Sequence, residues 1–212
     1  MHQGLISCLR GGFGGMENPT EWKSLWTKHH ASIPGWLEPG VDEILFNAAK
    51  FLAPEGTFCE IGSYKGLSTV HLAAGCKLGG GKLLAVDPFF DKLEHDKPCD
   101  YSYFYEEFTK NISICGVNDV IEVYEELSSD AYLKVKDRKF SGLFLDGDHT
   151  YEGISADWHH YVPLVNVGGL VMVHDSSFEG PAKLLEEVKA DQRVRRVLGW
   201  HSLSVYYKVS DL

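Results

Sequence analysis

The chain has 212 residues, 44% of them hydrophobic, enough for one well-cored domain with a terminal extension. Its formal charge of −10 argues against nucleic acid as a partner, because a phosphate backbone needs a basic surface. The same charge suits a site that gathers carboxylates around a cation, although solvated surface acids account for most of it. No apolar run approaches the roughly 20 residues of a membrane span, and Leu5–Leu9 is too short for a signal-peptide core. The five cysteines, Cys8, Cys59, Cys76, Cys99 and Cys115, are odd in number, scattered and free of any CxxC pair. That pattern reads as reduced thiols in a cytoplasmic protein.

Residues 1–15 carry no fold signal. Glu21 to His30 places Trp22, Leu25 and Trp26 at helical spacing, and Pro34-Gly35-Trp36-Leu37 is a turn with a large apolar anchor. From Val41, the positions Ile44, Leu45, Ala48 and Leu52 predict an amphipathic helix ending near Pro54. These segments are expected to form a helical cap on or beside the main domain.

The first strand is predicted at Thr57–Ile61, followed by a helix over Leu67–Cys76 and a glycine cluster at 79–81. Lys82–Val86 is a second strand ending on Asp87, so Glu60 and Asp87 span one βαβ unit of about 30 residues. Residues 91–101 are polar and read as a loop. Tyr103–Ile114 is a helix, Val120–Tyr124 a strand, and Ala131–Val135 a short helix after Ser128-Ser129-Asp130. The strand Gly142–Leu145 ends on Asp146, and the turn Gly147–Thr150 leads into a helix over Tyr151–Leu164. Leu170–Val173 ends on His174-Asp175, residues 181–190 form another amphipathic helix, and Val194–Leu198 and Leu203–Val209 close the chain as a strand pair. The alternation of strands and helices predicts a doubly wound, Rossmann-like, mostly parallel sheet with a C-terminal antiparallel pair.

Strands ending on Glu60, Asp87, Asp146 and His174-Asp175 concentrate chemistry where open parallel sheets bind ligands, outside their carboxyl ends. The turn Glu60-Ile61-Gly62-Ser63-Tyr64-Lys65-Gly66 is a strand-to-helix loop, but Tyr64 stands where a dinucleotide fingerprint needs its second glycine. A ligand with ribose and adenine but no pyrophosphate fits better, with Asp87 accepting from ribose hydroxyls.

Three blocks extend this reading into a resemblance. Glu60-Ile-Gly-Ser-Tyr-Lys-Gly-Leu-Ser68, Leu145-Asp146-Gly-Asp-His149-Thr-Tyr-Glu-Gly153 and Gly168-Gly-Leu-Val-Met-Val-His-Asp175, with Val86-Asp87-Pro88 between the first two, resemble class I S-adenosylmethionine-dependent methyltransferases. The branch is that of small O-methyltransferases of sugar and antibiotic tailoring, related to catechol O-methyltransferases, and the likeness covers roughly residues 34–180. It implies a division into an extension and cap (1–38) and a methyltransferase domain (39–212). It also implies that Glu60, Gly62 and Ser63 line the methionine end of the donor, with Ser68 nearby. Asp87 would hold the ribose, and Ser128 and Ser129 would lie by the adenine. Ser68, Ser128 and Ser129 also have a plainer reading as helix-start residues.

In metal-dependent relatives a divalent cation sits at the positions matching Asp146 and His174-Asp175. This chain departs from them by offering histidine where a second acid is usual, which disfavours Mg²⁺ and favours Mn²⁺ or Fe²⁺. His174 could equally face substrate or be a satisfied core residue. His149 stands where relatives carry the catalytic base, an imidazole suited to taking a proton from a hydroxyl, with Asp146 beside it and Asp148 as an alternative partner. His159 and His160 read as surface or packing residues. The implied substrate is a small molecule or sugar bearing a hydroxyl, and a homo-oligomer is compatible with the sequence. An NAD-dependent oxidoreductase or a non-catalytic nucleotide-binding module on the same fold are the alternatives.

Overall fold

The computed structural model describes residues 30–90 and 104–212. α1 (Val41–Leu52) precedes β1 (Thr57–Ile61), α2 (Leu67–Gly79) and β2 (Lys82–Val86). The chain continues through α3 (Tyr105–Ile114), β3 (Ile121–Tyr124), α4 (Ser128–Val135) and β4 (Phe140–Leu145). It ends through α5 (Tyr151–Tyr161), β5 (Val165–Val173), α6 (Glu179–Val188), β6 (Val194–Trp200) and β7 (Leu203–Lys208). The strands form one sheet in the order β3-β2-β1-β4-β5-β7-β6. β1 to β5 run parallel, and β7 is antiparallel to both β5 and β6. Strand order reverses between β1 and β4, the switch point of a doubly wound sheet.

The central strands are apolar almost throughout because both faces are covered. Alternate residues divide between two cores. Phe58, Leu83, Ala85, Phe144, Leu170 and Met172 point to the face carrying α1, α2 and α3. Cys59, Leu84, Val86, Leu143, Leu145, Val171 and Val173 point to the face carrying α4, α5 and α6, where Trp158 and Tyr161 are buried. The thiols of Cys59, Cys76 and Cys115 are free and buried; burial pushes Cys76 up to about 12 and Cys59 well above its ordinary range. No helix among the described residues is long and apolar enough to cross a membrane.

The helix at Val41–Leu52 is a layer of the main domain, not part of a cap. A Cβ on Gly75 would lie 2.3 Å from Phe46 O, and one on Gly79 would lie 2.5 Å from Lys50 O. The Gly75-x-x-x-Gly79 face of α2 therefore lets the α1 backbone approach closely, and Ile44, Leu45, Ala48 and Ala49 are buried there. Ahead of α1, residues 33–40 run as a strap along the carboxyl edge of the sheet. Ile33 is buried, Gly35 lies against Leu67, and Pro39 O accepts from Trp200 Nε1 at 2.8 Å. At the opposite end, the fully buried Lys208 donates to the carbonyls of Val162, Pro163 and Val165 and pairs with Asp211.

The pattern-based boundaries shift where packing overrides periodicity. β5 starts at Val165 rather than Leu170 because Val165 pairs with Phe140. α5 ends at Tyr161, where Pro163 converts the next turn to a 3-10 helix over Val162–Leu164. α6 begins at Glu179, placing Pro181 in its first turn, where no helical N–H is needed. The helical spacing at Glu21–His30, for all but its last residue, and the polar loop at 91–101 lie outside the described residues, as do residues 1–15.

Candidate active site

Main-chain hydrogen bonds continue past the strand ends and line up the residues that follow them. Asp87 N donates to Tyr124 O (3.1 Å), Gly62 N to Val86 O (2.9 Å), Asp146 N to Ile61 O (2.8 Å) and His174 N to Leu145 O (3.0 Å). The acids of four separate blocks thus stand in one row across the switch point.

On the β1 side, Glu60 is completely buried, and three hydroxyls donate to it: Ser68 at 2.6 Å, Thr69 at 2.6 Å and Ser63 at 2.8 Å. Burial raises its pKa to about 7 despite those bonds. Asp87 Oδ2 accepts from the N–H groups of Ser63 (2.7 Å) and Tyr64 (2.8 Å), and Oδ1 from Phe89 N (2.5 Å). Desolvation raises Asp87 while these N–H groups oppose the shift. The loop between them is tightly constrained. Gly62 has φ +89°, and a Cβ there would sit 2.2 Å from Asp146 O. Only glycine tolerates both demands. Tyr64 also takes a left-handed conformation, φ +45°, and its ring packs on Phe104 and Trp36.

On the β4–β5 side, the His149 block is built as a helix start. Thr150 Oγ1 accepts from Gly153 N at 3.1 Å, and Asp148 Oδ1 accepts from Thr150 N at 2.8 Å. A Cβ on Gly153 would meet the Asp148 carboxyl at 2.4 Å, which explains glycine there. Asp148 is therefore occupied in shaping the turn. The His149 main chain is held against α6, since a Cβ on Gly180 would lie 2.2 Å from His149 O. Its ring meets Phe178 edge-on. His149 Nε2 is buried at 3.2 Å from Asp175 Oδ2 and 3.7 Å from Asp146 Oδ1, without an aligned hydrogen bond to either. Asp146 foremost, then Asp175, raises the imidazole above its ordinary pKa against burial.

His174, only 2% exposed, is clamped between carboxylates: Nδ1 lies 3.0 Å from Asp146 Oδ1 and Nε2 2.8 Å from Glu38 Oε2. Burial pulls its pKa down, but Asp146 and Glu38 prevail and lift it to about 9. Burial likewise favours neutral Glu38, yet hydrogen bonds from Ser202 and His174 hold it at about 2. The pair is therefore ionic. Asp175 sits at φ +47°, a backbone cost of order 1 kcal/mol, and burial raises its carboxyl.

The structure brings Asp146, His149, His174 and Asp175 together, and places Gly62 and Asp87 beside them through the Asp146 and Asp87 contacts. Glu60, Ser63 and Ser68 form one buried knot. Ser128 and Ser129 open α4; Leu127, not either serine, is the N-cap. Ser128 O is engaged by the Tyr161 hydroxyl at 2.6 Å. His159 bonds its own helix at Ser155 O, and His160 stacks on Tyr132. Glu38, Thr69 and Ser202 carry parts of the site that no local motif announces; Glu38 and Ser202 reach it across 136 and 28 residues from His174. A carboxylate beside the Trp-Leu anchor of the strap was the one available signal for Glu38.

Asp146, His174 and Asp175 each offer a donor atom within 4.8 Å of the others. His174 Nε2 is anchored on Glu38, the outer-shell support that a metal-ligating imidazole uses, leaving Nδ1 toward the acids. The unaligned, buried His149 Nε2 adjoins the same oxygens. These residues fit a divalent cation that accepts nitrogen as well as oxygen, with the proton on His174 Nδ1 as its competitor.

Residues 59–176 match the family model described as a methyltransferase domain, more than half of the chain. Solved structures share the fold over nearly their whole length. The O-methyltransferase NovP aligns with TM-score 0.68 at 14% identity, covering 98% of each chain. TomG, an O-methyltransferase from Streptomyces achromogenes involved in tomaymycin synthesis and solved with SAM, aligns at 0.63 and 14% identity, covering 97% of this chain and 96% of its own. An O-methyltransferase from Bacillus cereus, solved with SAH, aligns at 0.63 and 16% identity over 98% of this chain and 100% of its own.

Proposed function

This chain belongs to the methyltransferase domain family, and we propose that it moves a methyl group from S-adenosylmethionine to a hydroxyl of a small molecule, sugars and phenols included. The observation that carries the reading is His149 Nε2 suspended between Asp146 and Asp175, immediately across the switch point from the loop that Asp87 holds in place. A nucleoside site and a proton acceptor meet on one edge.

In this reading residues 39–212 are the catalytic domain. Gly62 and Ser63 present main chain to the methionine end, with Glu60, Ser68 and Thr69 fixing the loop from beneath. Asp87 keeps acceptor capacity on Oδ1 for a ribose hydroxyl. Ser128 and Ser129, at the end of β3, border the adenine. His149 takes the hydroxyl proton as the methyl transfers in line, and Asp146 and Asp175 stabilise the imidazolium so formed. Asp146, His174 and Asp175 would hold a divalent cation, Mn²⁺ or Fe²⁺ before Mg²⁺. When bound, such an ion supplies Lewis acidity that lowers the pKa of a coordinated hydroxyl. The buried, unpaired thiols support a reducing compartment, the cytoplasm. The acidic balance supports a small-molecule partner rather than nucleic acid, and a homo-oligomer is compatible with it.

Calorimetry with S-adenosylmethionine, followed by transfer assays on a panel of sugars and phenols, tests the proposal. Donor binding with methylation of a hydroxyl is expected; absence of donor binding ends it. Exhaustive chelation should abolish turnover and Mn²⁺ or Fe²⁺ should restore it better than Mg²⁺. Full activity after chelation would leave His149 acting without a metal.

A further inference from the structure

A second group of ligating side chains lies on the sheet face covered by α1 and α2, sharing no residue with the strand-end set. His30 opens the 3-10 turn His30–Ser32, Asp42 stands in the first turn of α1, and His71 lies in α2. Each offers one donor atom, and these atoms lie within 4.8 Å of one another. The two imidazoles meet edge to face, centroids 5.1 Å apart. His71 is fully buried, whereas His30 and Asp42 are half-buried, so the cluster is closed beneath and open to solvent above. Burial lowers the His71 pKa to about 4, against the pull of Asp42.

Two imidazoles and one carboxylate are poor partners for Mg²⁺ or Ca²⁺, which prefer oxygen, and good ones for a borderline ion such as zinc. Bonds of about 2.0–2.1 Å need the three donors drawn inward, so binding entails rotation of the half-buried His30 and Asp42 side chains. We propose that His30, Asp42 and His71 bind a zinc-type cation, with water completing its coordination, and so pin the start of the 33–40 strap to α1 and α2. The ion would be structural with respect to the reaction, fixing the segment that brings Trp36 to Tyr64 and Glu38 to His174.

Zinc binding is read without turnover, so this inference stands apart from the methyl-transfer reading. Asp175→Asn weakens the strand-end set and isolates the second cluster. Calorimetric Zn²⁺ titration of the full-length Asp175→Asn chain should show one tight equivalent, and Co²⁺ should give intense visible absorption there. Adding His30→Ala should weaken zinc at least ~100-fold, beyond the 10–100-fold typical of losing an outer-shell partner. Equal affinity in the two proteins would overturn the site. Should His30→Ala unfold the chain, Asp42→Asn in the same background gives the same reading. Zinc should also raise the melting temperature of Asp175→Asn and not that of either double variant; equal shifts would again overturn the proposal.

Discussion

At the ends of β1 and β2, Glu60 and Asp87 are consumed within the protein: three hydroxyls meet one and three N–H groups meet the other. At the ends of β4 and β5, Asp146 and Asp175 instead face a half-exposed His149 with no aligned bond to it, and His174 is wedged between acids. The first region is a scaffold already braced by its own hydrogen bonds, with acceptor capacity left on Asp87 Oδ1. The second holds charge in an arrangement that a ligand would complete. In the proposed function, binding geometry and chemistry fall on opposite sides of the switch point, which the close approach of Gly62 to Asp146 O joins.

The largest expected effect falls on the unfinished side. His149→Ala should lower turnover ~10²–10⁴-fold, the range for a lost general base, with S-adenosylmethionine affinity by calorimetry near wild type. Loss of donor affinity as well would break the division between the two regions. At the joint itself, Gly62→Ala combines a φ of +89° with a clash on Asp146 O. It should cost about 3 kcal/mol or more in urea unfolding, because strain and steric overlap add.

On the braced side, Glu60 carries a pH signature. Its pKa is raised from an ordinary 4.5 to about 7 in the folded chain. The folded state therefore holds the proton more tightly. The stability this contributes is fully present below pH 4.5 and is lost as pH rises through about 7. Between those limits wild type should lose on the order of 2–3 kcal/mol relative to Glu60→Gln, read from unfolding curves of both proteins. A constant difference would show that folding leaves the Glu60 pKa where it is in the unfolded chain. The smallest effect should come from Trp36→Ala. With Trp36 78% exposed, stability should move within about 0.5 kcal/mol, while the donor KM rises through the Trp36–Tyr64 contact and kcat holds. An unchanged KM would confine the strap's aromatic group to the surface.

Much of this edge was legible because strands buried on both faces announce themselves as apolar runs, and an acid or histidine follows β2, β4 and β5 while an acid interrupts β1 near its end. The fold was read in that way, and so were the positions of Asp87, Asp146 and Asp175 beside the strand ends and of Glu60 one residue inside β1. The Val41–Leu52 helix was grouped with the cap by its amphipathicity and with the domain by the 39–212 boundary, because amphipathicity reports that a face is buried, not what buries it; the Gly75 and Gly79 face of α2 supplies the answer. Glu38 and Ser202 stayed hidden because their partners are distant in the chain and no period or spacing encodes such a meeting. The left-handed backbone at Tyr64 was equally invisible, since an aromatic residue does not signal it, whereas Asp175 is of a type enriched there.

The strap has a consequence in the language of linkage. Trp36 touches the Gly62–Gly66 loop through Tyr64, and Glu38, two residues on, touches the Asp146–Asp175 cluster through His174. Any shift of the strap that a ligand induces on one side changes the other side's contacts as well. If donor occupancy favours one strap placement, acceptor affinity must change by the same factor that acceptor occupancy changes donor affinity. Order of binding, and inhibition by the demethylated product, would then be set by a short stretch of chain ahead of residues 59–176, the part that matches the family model.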